Sequence, residues 1–166
     1  MAKQIAYDTE ARERVAAGVG NQVSLKVGGK TDKLHGSPVD IKGIVRTLSD
    51  GKYIEEQVRH GGARFNDQGL TAVVETPEDH TLILTSLRMA PMSLEQVLSV
   101  GVKPERKQVI VAKGVVAPRA AYEPIASQII LVNTPGSTSA DLSTFTYHRR
   151  RRPLFPFERD AQYKPA

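Results

Sequence analysis

The sequence predicts a mixed α/β (α+β) fold: a mixed, largely antiparallel sheet with two or three short helices and a C-terminal βαβ unit. Three observations predict it. Apolar and polar residues alternate in short segments of the first half, which indicates strands with one buried face. Turn-forming residues separate neighbouring segments, which is typical of antiparallel hairpins. Two β-branched runs flank a helical segment in the second half, which indicates parallel strands joined by a crossover.

Two helices are expected in the first hundred residues. Asp8 precedes an alanine-rich segment, so residues 9–17 are predicted to be helical. Ser93 and Gln96 have the spacing of a capping box, in which the serine caps the helix and the glutamine reaches back to it. A second short helix is therefore predicted to begin after Ser93.

The first half is expected to contain two hairpins. Residues 39–48 and 53–58 are predicted to pair across the turn at 49–52. Residues 70–75 and 81–86 flank a second turn with Pro77 near its centre. Gly43 interrupts the alternation of the first long strand, so a bulge or a close backbone approach is expected there.

Residues 109–136 are predicted to form the βαβ unit. The runs at 109–112 and 129–132 are β-branched and apolar, so both are expected to be buried strands. Pro118 suits the first turn of the intervening helix. Lys113 then follows the first strand at its carboxyl end, where open α/β sheets bind their ligands.

Composition bounds the class of protein. The chain has 166 residues, of which 40% are hydrophobic and 25% charged, as in ordinary globular proteins. We expect one domain over residues 1–136 and an extended, Arg/Pro-rich tail over 137–166 that docks on it. No apolar run is long enough for a membrane helix, and the N-terminus has no secretory h-region. The absence of cysteine fits a cytoplasmic protein.

The positive charge is local. The formal net charge is +5, and four arginines are consecutive at residues 149–152. Such a run is either a solvated or structurally paired tail or an anion-binding element. It lacks interleaved aromatic residues and a recognisable nucleic-acid fold, so nucleic acid is not the expected partner.

Sequence motifs give no independent catalytic centre and no metal site. HExxH, GxSxG, a P-loop and GxGxxG are all absent. The glycine loop that ends in Lys30 is a binding candidate, because successive glycines let backbone N–H groups approach an anion that Lys30 and His35 would orient. The alternative is an ordinary glycine turn between two strands.

Two further binding candidates lie at strand ends. Ser86 and Arg88 share one side by the two-residue period of a strand, and Arg88 would either clamp a carboxylate or form a structural ion pair. Lys113 would either bind a ligand at the sheet edge or extend into solvent.

Short motifs spread over most of the chain have a common order and spacing. They are Tyr7-Asp8-x-Glu10-Ala11, Gly28-Gly29-Lys30-x-Asp32, His35-Gly36, Leu84-Thr85-Ser86-x-Arg88, Ser93-x-Glu95-Gln96, Gly101-Val102-x-Pro104 and the stretch from Tyr147 to Pro153. Together they resemble the C-terminal domain of the microcystinase C (MlrC)-like zinc metallopeptidases. The resemblance implies a two-domain hydrolase that opens amide bonds in peptides or related small molecules.

The resemblance also implies a division of labour. Zinc would be bound by an N-terminal domain or subunit that this chain is expected to lack, so the chain alone would have no cofactor and no catalytic residue. Lys30, His35, Ser86, Arg88 and Lys113 match positions implied to contact substrate or the other domain. Many relatives carry a histidine shortly after the lysine, but residues 113–119 here contain none, so no histidine role is transferred.

Two main hypotheses follow. The chain is the cleft-covering, substrate-contacting part of an MlrC-like metallopeptidase, completed by a metal-bearing partner, or it is a free-standing module that binds small anions. A homo-oligomer is a further expectation. Nucleic-acid binding through residues 149–152 is the third and weakest hypothesis.

Overall fold

A computed structural model describes most of the chain. It describes residues 18–30, 36–58, 63–114, 116–134 and 141–162, and the backbone of residues 3–7. The chain divides into two compact units, Met1–Val132 and Asn133–Ala166. The helix predicted for residues 9–17 lies outside the described residues.

The first unit is built on a five-stranded sheet with the order β1-β7-β6-β3-β2. Its strands are β1 (Lys3–Tyr7), β2 (Gln22–Val27), β3 (Val39–Ser49), β6 (Thr71–Glu75) and β7 (Thr81–Thr85). A separate two-stranded ribbon consists of β4 (Lys52–Ile54) and β5 (Phe65–Asp67). β1 pairs with β7 in parallel, and the other pairs are antiparallel. The predicted mixed, largely antiparallel fold is confirmed.

The main sheet buries side chains on both faces. Residues of opposite parity along β6 and β7 enter two different hydrophobic clusters, as the two-residue period of a strand requires. The first cluster contains Val23, Leu25, Val27, Val45, Val74, Leu82 and Leu84. The second contains Val73, Ile83, Val97, Val100 and Val102. β6 and β7 are therefore the centre of the unit.

One of the two predicted hairpins is confirmed. β6 and β7 pair across the turn that contains Pro77 and Asp79, and Asp79 has a left-handed φ of 64°. The prediction of the other hairpin was wrong: β3 pairs with β2 and β6, and β4 pairs with β5 in the ribbon. The predicted turn does not reverse the chain: Ser49 pairs with Thr71 and Lys52 with Asp67, so the chain continues in one direction from β3 into β4. Gly51, between the two strands, has a left-handed φ of 75°.

The close approach predicted at Gly43 is confirmed. A Cβ atom there would lie 2.6 Å from the carbonyl oxygen of Glu75 and 2.6 Å from Cγ1 of Val74. The irregularity in β3 comes slightly later, where the register with β6 shifts between Val45 and Thr47. Glycine at position 43 thus lets β3 lie against the end of β6.

Short helices follow the sheet. α1 (Glu95–Leu98) begins where predicted, and the Ser93 hydroxyl accepts a hydrogen bond from the Glu95 amide at 3.0 Å. Gln96 does not complete a capping box, because its side-chain amide is buried and makes no hydrogen bond to Ser93. Its backbone oxygen accepts a hydrogen bond from the Gln68 side chain at 3.2 Å. No described helix is long and apolar enough to cross a membrane.

The prediction of a βαβ unit was wrong for its two strands. Residues 119–122 form the expected short helix, α2 (Arg119–Tyr122), and its Ala121 and Tyr122 are buried. The flanking runs at 109–112 and 129–132 form no sheet strand: Val111 makes one isolated β-bridge, and most side chains of the two runs are exposed. β-branched composition favours extended backbone but does not supply a neighbouring strand.

The second unit is organised around an ion pair. Arg150 donates to both carboxylate oxygens of Glu158, at 2.7 Å and 2.6 Å. The Arg150 guanidinium also lies 4.4 Å from the ring centroid of Phe157, which packs edge-on against Tyr147. Docking of this tail on residues 1–136 stays a prediction.

Gly51→Ala should destabilise the fold by about 3 kcal/mol, because it combines a left-handed φ with a collision against the Gly69 carbonyl oxygen. Gly20→Ala is the matched control: its φ is 90°, but nothing lies within 4 Å of the added methyl group. Its cost should be about 1 kcal/mol. Urea unfolding measures both, and equal losses would show that the contact with Gly69 is unimportant.

Candidate functional site

Several strands begin or end at one end of the main sheet, which we call the loop edge. There β3 and β7 finish and β6 begins, and the register aligns Ser49 with Thr71 and Thr71 with Thr85. Tyr7, the last residue of β1, pairs with Thr85 at the same edge. The loop edge thus brings together segments that are far apart in sequence.

Backbone hydrogen bonds fix the loop edge. The Ser86 amide donates to the Leu70 carbonyl oxygen at 3.0 Å, and the Leu87 amide donates to that of Gln68 at 3.1 Å. Gln68 in turn donates its amide to the carbonyl oxygen of Gly51 at 3.1 Å. Three loops are therefore tied in series, which gives side chains at this edge a rigid base.

Three of the five predicted site residues lie in this region. Ser86 is half-buried and Arg88 is exposed, both directly after β7. Lys113 is exposed, and the next residue, Gly114, lies against the loop after Arg88, since a Cβ atom added to it would be 3.6 Å from Cγ of Pro91. The fold therefore brings the Lys113 segment beside the loop that carries Arg88.

Lys30 lies at the far end of the sheet. Ile44 of β3 is level with Thr81 at the end opposite the loop edge, and β3 extends from there back to Val39, beside the loop of Lys30. At about 3.3 Å per residue, Lys30 is on the order of 30 Å from the loop edge. His35 lies outside the described residues. A small ligand could not contact Lys30 and Arg88 together, and small-anion binding at the Lys30 loop stays a prediction.

A small cleft lies between the ribbon and the loop that precedes α1. It is lined by Tyr53, Glu55, Ala63, Asn66, Met89, Ala90, Met92 and Ser93. The Ser93 hydroxyl donates a short hydrogen bond to the Glu55 carboxylate, which links α1 to β4. No sequence motif marked this pair, since the two residues are far apart in the chain.

Two tyrosines near this cleft titrate abnormally. Burial raises the pKa of Tyr53 to about 12, and the negative charge of Glu55 adds to the effect. Burial also raises the pKa of Tyr122 to about 12, with Tyr53 as the second cause. Both phenols therefore stay protonated in the range in which enzymes work, and neither is suited to act as a general base.

The described residues do not fit a metal centre. No group of three or more His, Cys, Asp or Glu residues among them could hold a metal ion. Glu55 is the single carboxylate among the described residues that line the cleft, and His80 lies exposed in the β6–β7 turn. A catalytic zinc requires about three protein ligands, and the described residues do not supply such a set.

Comparison with known proteins decides the family. Residues 2–149 match the family model described as MlrC C-terminus. The chain belongs to this family. It is 27% identical to microcystinase C from Sphingomonas sp. over 142 residues, which is 86% of this chain and 26% of that protein.

A solved structure has the same fold. The crystal structure of a candidate metallopeptidase from Mesorhizobium sp. BNC1 superposes with a TM-score of 0.78 and 25% identity, covering 98% of this chain and 32% of that one. This chain thus spans about a quarter to a third of the length of these relatives.

The arginine run of the chain is divided by its contacts. Arg150 is held by Glu158, whereas Arg149, Arg151 and Arg152 are exposed. The paired-tail interpretation is therefore confirmed for Arg150. The three exposed guanidinium groups are not interleaved with the aromatic residues that single-stranded nucleic acids stack on.

Hydrogen bonds from Arg150 and from the Leu154 amide lower the pKa of Glu158 to about 2. The pKa of Glu158 in the folded unit lies below its ordinary value of 4.5. The ionised carboxylate therefore stabilises the folded unit at pH values above 4.5, and this contribution is lost as the pH falls towards 2. An NMR titration should give this pKa for Glu158 and a value nearer 4.5 in Arg150→Gln. Arg151→Gln, which removes an exposed charge, is the control and should leave the value nearly unchanged.

Proposed function

We propose that this chain is the cleft-covering, substrate-contacting part of an MlrC-like metallopeptidase. A metal-bearing N-terminal domain or subunit supplies the zinc, and the complex hydrolyses amide bonds in peptides or related small molecules in the cytoplasm. The chain alone is inactive. Membership of the family and the short span of the chain relative to its relatives support this proposal.

The observation that carries the proposal is an uncovered apolar segment at residues 129–132. Ile130, Leu131 and Val132 are 72%, 73% and 73% exposed, although chains seldom leave such a run in water. Covering each side chain would contribute about 1.5–3 kcal/mol. An exposed apolar segment of this kind suits a surface that a second domain covers.

A second exposed run reinforces this interpretation. Val109 and Val111, on the other side of α2 in sequence, are 52% and 46% exposed. The two runs are those that the sequence predicted to be buried strands. Their composition is explained if the burying surface belongs to the part of the enzyme that this chain does not contain.

In this proposal, the loop edge supplies the polar side chains that contact substrate in the cleft that this chain covers. Arg88 has a planar guanidinium that matches a carboxylate in two parallel hydrogen bonds, and Lys113 adds a second cation from the neighbouring loop. Both side chains are exposed, so both can reach a peptide carboxylate or an acidic residue of the partner. Neither can activate water, which leaves bond breaking to the metal-bearing domain.

Reconstitution tests the proposal. The purified chain, a separately produced metal-bearing N-terminal domain of a family member, and their mixture are assayed for zinc content and for hydrolysis of a peptide amide. We expect zinc with the N-terminal domain and turnover in the mixture alone. Stoichiometric zinc and turnover in the isolated chain would contradict the proposal, and so would a mixture that neither associates nor turns over substrate.

Ile130→Asp with Leu131→Asp should weaken association with the N-terminal domain at least a hundredfold, because burying two unpaired carboxylates is strongly unfavourable. Val19→Asp is the matched control, since Val19 is equally apolar and 60% exposed in a turn elsewhere. Analytical ultracentrifugation measures association, and thermal unfolding confirms that the variants fold. Equal affinities for the two variants would contradict docking through residues 129–132.

A further inference from the structure

A groove lies beside the second hydrophobic cluster, at the end of the main sheet opposite the loop edge. It encloses about 250 Å³ between the ends of β6 and β7 and the chain that follows α1. Its residues are Arg46, Thr47, Val73, Glu75, Thr81, Val100, Gly101, Val102, Lys103, Arg106 and Lys107. Buried valines form its apolar part, and charged side chains form the rest.

The charge of this groove is unbalanced. Among the lining residues that the structure describes, Arg46, Lys103, Arg106 and Lys107 are cations and Glu75 is the single carboxylate. Arg46 Nε lies 2.8 Å from Glu75 Oε2, so this carboxylate is already engaged by one cation. Cations gathered round one groove repel one another, and a bound anion would remove that repulsion.

The backbone fixes the turn that carries Lys103 and Arg106. Gly101 ends the turn after α1 with φ 81°, and Pro104 is buried in a 3₁₀ turn over Pro104–Arg106. The Arg106 amide donates to the Lys103 carbonyl oxygen at 3.2 Å, which sets the two side chains on one tight turn. The groove is therefore bordered by a rigid segment rather than a long loop.

A buried hydroxyl orients one of the cations. Lys107 Nζ donates to Thr81 Oγ1 at 2.7 Å, and Thr81 is 1% exposed. The half-buried lysine is thus drawn to the sheet instead of extending into water, as most surface lysines do. Its ammonium is held at the groove wall before any ligand arrives.

We infer that this groove binds an oxyanion, the phosphate or carboxylate group of a small molecule. Arg106 supplies the paired N–H groups that match such a group, Lys103 and Lys107 supply point charges, and Val102 offers an apolar surface for the remainder of the ligand. The groove lies at the Glu75–Thr81 end of the sheet, so it is separate from Arg88 and from the substrate cleft proposed at the loop edge. It extends the proposed function without depending on it.

Calorimetry on the isolated chain tests this site, with inorganic phosphate and citrate as the two probes at constant ionic strength. We expect saturable binding of at least one probe, and the stronger of the two identifies the ligand class. Lys103→Ala with Arg106→Ala should weaken it at least about tenfold, as expected for the loss of charge-assisted hydrogen bonds. Both residues are exposed, so the variant should keep its melting temperature.

Lys52→Ala with Arg64→Ala is the matched control. It removes the same charge from exposed positions in and beside the ribbon, outside the groove, and should leave binding within about twofold. Equal weakening in the two variants would show a non-specific response to net charge and overturn the site. Absence of saturable binding by either probe would overturn it as well. Neither result bears on docking or on amide hydrolysis.

Discussion

The central hairpin of β6 and β7 is the constraint on which the first unit depends. Both strands are buried on their two faces, so their side chains must satisfy two hydrophobic clusters at once. β3 and β1 pair with its outer edges, and α1 and the segment after it cover one face. The two ends of this hairpin also carry the two regions proposed to be functional, with Arg88 at one end and Lys107 at the other.

The sequence predicted what depends on local chemistry. The β6–β7 hairpin follows from alternating apolar residues around the turn with Pro77, and the Gly43 approach follows from a glycine inside a strand. Pairing between distant segments could not be predicted in the same way. The residues at 109–112 have strand composition, yet composition indicates burial and does not say which surface does the burying.

The candidate site was predicted in part for the same reason. Arg88 and Ser86 follow a strand that the sequence does indicate, and the fold then brings the Lys113 segment beside them. The basic groove escaped sequence reasoning because its cations come from β3 and from the turn after α1, which approach only across the sheet. Lys103 and Arg106, three residues apart, were the sole local signal, and such spacing is common on solvated turns.

The exposed run at residues 129–132 bears on how such a protein is made. Its side chains are apolar and exposed and it carries no charge or proline, which are properties of segments that assemble into intermolecular sheets. A chain released alone at high concentration would present this run to its own copies. Synthesis together with the proposed metal-bearing domain, in equal amounts and on the same polypeptide or messenger, would keep the run from self-association.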